Sequence, residues 1–302
     1  MLNEVLEHLA PVDGGVYVDG TFGAGGYTRA ILGAADCTVV AIDRDPDAQK
    51  RADGLKAAYG GRLVFIKGCF GDVAALLAEA GFEKVDGFVL DLGVSSFQLD
   101  EAERGFSFQK DGPLDMRMGP DIGESAADLI ATAGEKELAD IIYQYGEERK
   151  SRRIAHKIVE MRKEAPITTT AQLAEVVRAC LPKGRPGDVD PATRTFQAIR
   201  IAVNDELGEL ERALRSAESI LSVNGRMVVV SFHSLEDSAV KRFFRKKSGG
   251  ESVSRYQPVT EQDVAFELLT RKAVKPTDKE IAENARSRSA RLRTAKYIGG
   301  TA

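Results

Sequence analysis

Gly23, Gly25 and Gly26 follow the β-branched and aromatic run Val16-Tyr17-Val18-Asp19 and precede a helix-like pattern. Residues without a Cβ let backbone N–H groups approach a ligand closely, so a strand that breaks into G-x-G-G before a helix is suited to hold one. A dinucleotide fingerprint requires a further glycine at position 28, where this chain has Thr28. Asp19, just ahead of the glycines, opposes a pyrophosphate and suits a ligand carrying positive charge, such as a sulfonium with an α-amino group. S-adenosylmethionine therefore fits these residues better than NAD, although the glycines alone also fit an ordinary strand-to-helix turn.

Further carboxylates stand where such a ligand would need them. Asp43 closes the run CTVVAID, where an acidic side chain can accept both ribose hydroxyls of an adenosine ligand. Asp45 and Pro46, next along, are placed to cap the following helix, a role also open to Asp43. Asp91 ends VDGFVLD, and the small residues of Gly93-Val94-Ser95-Ser96 leave room beside it for a methyl acceptor; Ser95 and Ser96 equally suit a helix cap or turn. The loop RGFSFQKDGPLDMRM interleaves Arg104, Asp111, Asp115 and Arg117 with Phe106, Phe108 and two methionines, without strand or helix period. It reads as a loop over a site, as a cluster pinning a neighbouring domain, or as both. His233 in VVVSFHSLED stands at another strand end, as a structural residue or an acid/base group. His8 and His156 give no metal spacing with it, and Cys37, Cys69 and Cys180 form no C-x-x-C pair, so no metal site is expected.

These residues require elements that carry them to one edge. VYVDG, CTVVAID, RLVFIKG and VDGFVLDLG read as buried strands alternating with the helices TRAILGAA, PDAQKRADGLKAAYG and GDVAALLAEAG. Such alternation predicts a parallel sheet covered by helices, with ligands at the carboxyl ends of its strands. From about Phe97 to Ala192 the strand signal gives way to the loop and to four helical stretches, closed by LPKGRPGDVDP. The strands then return after an apolar stripe from Phe196 to Leu221 that reads as one long helix. The expected organisation is a sheet domain over 1–100, an inserted all-helical domain over 101–192 and the rest of the sheet domain over 193–302.

The chain of 302 residues carries a net charge of −4, which does not advertise nucleic-acid binding, but its basic residues cluster. Arg149, Arg152, Arg153, His156 and Lys157 recur at helical spacing, and Arg286, Arg288, Arg291, Arg293 and Lys296 crowd the C-terminal stretch. Each cluster is either a solvated face or a phosphate track, and together they favour RNA or DNA. No apolar run approaches the ~20 residues that span a bilayer, and MLNEVLEHLAP lacks the basic start of a signal peptide, so no membrane association and a cytoplasmic location are expected.

The runs DGTFGAGG, AIDRDPDA, DGFVLDLGVSSFQLDEAERGFSFQKDGPLDMRM, YGEERKSRRIAHKIV, PATRTFQAIRIAVNDEL, SFHSLEDSAVKRF and NARSRSARLR resemble the bacterial small-subunit ribosomal RNA (cytosine-N4)-methyltransferases, the MraW-type enzymes. The resemblance extends over nearly the whole chain. It implies a Rossmann-like S-adenosylmethionine-dependent methyltransferase sheet with an inserted helical domain for substrate recognition. It further implies methyl transfer to the exocyclic N4 of a cytidine in the decoding centre of 16S ribosomal RNA, within the small ribosomal subunit. Carried over residue by residue, the family's cofactor contacts fall on Gly25, Gly26, Tyr27, Asp43, Phe70, Asp91 and Gln98; Phe70 and Gln98 come from the resemblance alone. The family usually has histidine at position 27 and proline at position 97, where this chain has Tyr27 and Phe97, and its His-x-Pro-Val opening does not precede Leu2. Asp91, Asp115 and His233 are the candidate catalytic side chains. A non-catalytic RNA-binding assembly factor and an NAD-dependent dehydrogenase are the rival functions, and a homodimer remains open.

Overall fold

The computed structural model describes residues 1–119, 123–182, 189–250 and 264–300; most of the expected LPKGRPGDVDP boundary lies outside them. The chain forms two compact units, one of Met1–Gly93 with Leu207–Ala302 and one of Val94–Glu206.

In the first unit, α1 (Leu2–Leu9), β1 (Val16–Asp19), α2 (Gly26–Ala34), β2 (Thr38–Asp43), α3 (Pro46–Tyr59), β3 (Leu63–Lys67), α4 (Val73–Glu79) and β4 (Val85–Asp91) follow in sequence. The second unit holds α5 (Ser96–Asp100), α6 (Ala126–Thr132), α7 (Glu135–Gly146), α8 (Ser151–Glu164), α9 (Thr170–Cys180) and α10 (Ala192–Asn204). The first resumes with α11 (Glu206–Ile220), β5 (Leu221–Ser231), α12 (Ser234–Lys247), β6 (Phe266–Leu268), α13 (Asp278–Glu283) and β7 (Arg291–Tyr297).

Seven strands make one sheet in the order β3-β2-β1-β4-β5-β7-β6. The first five are parallel neighbours, and β7 runs antiparallel between β5 and β6. Successive strand residues face opposite sides, and both sides are buried. Val40, Ile42, Phe88, Leu90, Met227 and Val229 enter one hydrophobic core. Val39, Ala41, Val89, Val228 and Val230 enter the other. This two-sided burial explains why the strands read as continuous apolar runs. No described helix is long and apolar enough to cross a membrane.

The helical unit has a core of its own, in which Leu138, Ile142, Ile154, Ile158, Leu173 and Val177 meet Phe196 and Ile199. The single helix expected from Phe196 to Leu221 is two helices. Asp205 adopts a left-handed φ of 47°, ending α10 one residue before α11 begins, and Leu221 already belongs to β5. The helical unit therefore extends to Glu206 rather than to residue 192, and it begins at Val94 rather than at residue 101.

Candidate functional site

The glycine turn is built from inside the sheet unit. Gly20 follows β1 where an added Cβ would lie 2.7 Å from Leu90 and 2.9 Å from Phe88, so only glycine lets the chain leave the strand here. Gly25, at φ 73°, is the residue before α2, and a Cβ there would strike Leu55 and the Phe22 ring. Around Gly26, by contrast, nothing lies within 4 Å of an added Cβ, so bare backbone at the start of α2 faces open space.

Asp43 fixes this turn. Its Oδ2 accepts the Gly23 N–H at 2.7 Å and its Oδ1 accepts the Asp45 N–H at 2.8 Å, while Arg51 Nε donates to the Gly23 carbonyl at 2.9 Å. Asp45 caps α3 through the Asp47 N–H, with Pro46 in the first turn, as expected. Burial pushes the Asp43 carboxyl up, against the two backbone donors that favour its charge. Each of its oxygens keeps a lone pair beyond these contacts.

Asp19 differs from the expectation that it faces a cationic ligand. It is fully enclosed, accepting the Thr28 hydroxyl at 2.7 Å and the Thr21 N–H at 3.3 Å. Thr28, the residue that breaks the dinucleotide pattern, is thus the partner of a buried acid. Burial raises the Asp19 carboxyl to about 6.

Asp91 stands at the carboxyl end of β4, its N–H donated to Thr21 Oγ1 at 2.7 Å. Its Oδ1 is buried without a hydrogen-bond partner. Burial foremost, then the charges of Asp19 and Glu236, push this carboxyl up to about 7, while the Met1 ammonium draws it back. The partly buried Tyr27 phenol is raised by burial and by the charges of Asp91, Asp19 and Glu4, which places it among the same acids. Phe70 opens the turn Phe70–Asp72 after β3 and lies beside Gly20. An orphaned buried acceptor, bare backbone at the start of α2 and an acid at the end of β2 suit a ligand with a cationic group and a ribose.

The remaining sequence candidates are held by neighbours. His233 precedes α12 and accepts the Glu236 N–H on Nδ1 at 3.5 Å; its buried Nε2 lies 3.0 Å from Glu236 Oε1 without hydrogen-bonding geometry. Glu236 Oε2 in turn accepts the N–H groups of Phe232 and His233. In the helical unit, Gln98 and Ser95 form a reciprocal cap on α5. Asp115 is clamped by Arg117 at 2.9 and 2.8 Å, which holds its carboxyl below the usual carboxylate range. The loop around it carries Phe106, Leu114, Met116 and Met118 into the helical core, so pinning is one of its roles.

The basic tracks divide by pairing. Arg293 makes a two-pronged pair with Asp237, which Arg291 shares, and Lys296 pairs with Glu267. His156 lies between Glu135 and Glu160, and Lys157 pairs with Glu160. Sequence spacing missed Asp237, which lies more than fifty residues from its arginines, although Glu160 stands within a helical turn of His156 and Lys157.

A parallel five-strand run with antiparallel β7 beyond it, a glycine turn after β1 and acids ending β2 and β4 make a Rossmann-like sheet, and the family match makes the protein a methyltransferase that uses S-adenosyl-L-methionine. The chain belongs to the MraW methylase family, whose model matches residues 1–298. It is 58% identical over 303 residues to the Ribosomal RNA small subunit methyltransferase H of Rhodospirillum rubrum, covering 98% of this chain and 92% of that protein. The protein of the same name from Granulibacter bethesdensis is also 58% identical over 303 residues, covering 99% and 90%. Among solved structures, an rRNA methylase from Streptococcus thermophilus aligns at a TM-score of 0.41 and 10% identity, covering 98% of this chain and 93% of that one. A putative methyltransferase from Streptococcus mutans in complex with SAH aligns at 0.43 and 12%, covering 99% and 98%.

Proposed function

We propose that this protein transfers a methyl group from S-adenosyl-L-methionine to the exocyclic N4 of a cytidine in the decoding centre of 16S ribosomal RNA, in the cytoplasm and on the small ribosomal subunit. Family membership and relatives named as small-subunit ribosomal RNA methyltransferases support the reaction class. The observation that carries the chemistry is the orphaned Oδ1 of Asp91.

When bound, the cofactor supplies an electrophilic methyl group on a sulfonium. An exocyclic cytosine amine is a poor nucleophile because its lone pair is delocalised into the ring. An acceptor on its N–H favours a pyramidal nitrogen, and fixed positioning behind the methyl supplies the remaining advantage. Asp91 serves as that acceptor and takes the proton the amine must release, a task matched to a carboxyl near 7. Asp43 accepts the ribose hydroxyls, Gly25 and Gly26 offer bare backbone, Tyr27 closes the turn side and Phe70 stacks on the adenine. His233 and Asp115, engaged by Glu236 and Arg117, organise their surroundings rather than exchange the proton.

Mass analysis of 16S ribosomal RNA from cells lacking the protein tests this, together with methyl transfer to purified subunits and naked RNA. One methyl group should vanish from a cytidine N4 in the decoding centre and be restored by the protein with S-adenosylmethionine. An unchanged methylation pattern overturns the reaction, and retained RNA binding in that case favours the assembly-factor reading.

A further inference from the structure

His156, Lys157, Arg291, Arg293 and Lys296 have acidic partners, whereas three other arginines of the basic clusters gather at one place in the helical unit. Arg149, Arg152 and Arg153 are exposed, and among the described residues no acidic side chain pairs with them. They lie where α7 turns into α8 through the connection 147–150. Tyr143, in the last turn of α7, exposes 60% of its surface at the same end of the hairpin. Arg194 of α10 reaches this end too, its Nη1 donating to the Glu147 carbonyl at 3.4 Å while its side chain stays 62% exposed. Gly146 packs directly against the Arg194 backbone, so the three segments converge.

The arrangement is unfavourable on its own terms. Arg149 and Lys150 in the turn lead directly into Arg152 and Arg153 in the first turn of α8, so like charges crowd one short stretch. They also sit at the positive end of the α8 dipole, where no acid occupies the first turn. By contrast Glu137 caps the start of α7 and Thr169 with Gln172 that of α9, while α10 shares with α8 the lack of a side-chain cap and of an acid in its first turn. Of the acids here, Glu148 is buried and turned to the Lys150 N–H, and Glu147 carries one charge against the arginines and Lys150. A chain with a net charge of −4 thus sets three exposed arginines, and Arg194 with its Nη1 4.0 Å from Glu148 Oε2, at the end of the hairpin that also exposes Tyr143.

We infer that the closed end of the α7/α8 hairpin docks an unpaired RNA strand, with phosphates on Arg149, Arg152, Arg153 and Arg194 and a base stacked on Tyr143. This rests on the reading of the protein as an enzyme of ribosomal RNA and names where that RNA is gripped. Guanidinium groups match phosphate oxygens two at a time, and a phenol ring stacks on any base. A stacking ring needs an unstacked base, which a paired strand does not offer.

Fluorescence anisotropy of the full-length protein, with an unpaired oligoribonucleotide and a duplex of equal length at several salt concentrations, tests the inference. Replacing Arg149, Arg152 and Arg153 together by glutamine should flatten the salt dependence for the unpaired strand by about 2 in log–log slope, at roughly 0.7 per phosphate. Lysine at the same positions should keep the slope. Tyr143→Ala should weaken the unpaired strand about tenfold without changing the slope or the duplex affinity, and Tyr143→Phe should bind as wild type. Unchanged melting temperature and S-adenosylmethionine affinity confirm folded variants. An unaltered slope in the glutamine variant overturns the phosphate contacts, and equal losses on both RNAs with Tyr143→Ala overturn the stacking. Normal RNA binding with activity lost only on assembled subunits overturns the inference in favour of a protein contact. If the wild type methylates no cytidine while these binding effects hold, the proposed reaction falls and the docking surface stands.

Discussion

In the sheet unit, Asp19, Asp43 and Asp91 end β1, β2 and β4, and burial raises all three carboxyls. In the helical unit, Asp111, Asp115, Asp128 and Asp190 are all lowered, by the Ala171 N–H, Arg117, the Ser125 hydroxyl and Arg178 respectively. Acids of the second kind find their donors inside the fold and hold loops and helix starts in place. Of the first kind, Asp19 and Asp43 also find donors inside the fold, whereas Asp91 keeps a buried oxygen without a partner beside the charge of Asp19, an arrangement that costs stability. The contrast sets buried strand-end acids, Asp91 above all, apart from acids that fasten loops and helix starts.

The largest effect expected from this contrast is on Asp91. Asp91→Asn should lower single-turnover methyl transfer at saturating cofactor and RNA by at least about a hundredfold, the scale of losing one charge-stabilising group in an active site. Near wild-type turnover would break the assignment. The same variant should stabilise the ligand-free protein. For a carboxyl raised from 3.8 to about 7, the favourable contribution is complete below the unfolded value and is lost as pH rises through the folded one. Asp91→Asn should therefore gain stability over wild type as pH rises from 5 to 8, by on the order of 1–3 kcal/mol. For the same reason the wild type should hold its cationic cofactor more tightly at pH 8 than at pH 6. Chemical denaturation and calorimetric titration across that range check both.

A smaller loss is expected at Asp43. Asp43→Ala removes a charged acceptor and should weaken S-adenosylmethionine binding by about 1.5–3 kcal/mol. Because Asp43 also ties Gly23 to β2, melting should shift as well, and Asp43→Asn should recover part of it. Unchanged cofactor affinity in a folded Asp43→Ala protein would move this acid to the structural group.

Asp115→Asn should have the smallest effect. Its pair with Arg117 is 30% exposed on the Asp115 side, so about 0.5–1 kcal/mol of stability should be lost and turnover should change by no more than about threefold. A loss on the scale of Asp91→Asn would erase the distinction between the units and bring Asp115 into the chemistry.

Much of the sheet unit was legible because its signals are local. Alternating apolar strands, amphipathic helices and the glycine turn are each set by residues within a few positions of one another, and Asp45 with Pro46 announces a helix start in two letters. The apolar stripe from Phe196 to Leu221 shows where this stops. Periodicity records that a face is buried but not against what, and Phe196 and Ile199 enter the helical core while Leu210 and Leu214 enter the sheet core. Only the left-handed Asp205 between α10 and α11 reveals the change of unit.

The sequence by itself determined the element types, the strand-end acids and the clustering of basic residues, since each follows from residue type and short spacing. Tertiary structure alone decided which of those charges are free. Thr28 meets Asp19, Arg117 meets Asp115, and Arg293 meets Asp237 across 56 positions. An ion pair depends on distance in space, which chain order does not encode once elements fold back on one another. The same fact leaves Asp91 with an open oxygen and Arg152, among the described residues, without an acid, two properties that no reading of single residues separates from those of Asp115 and Arg293.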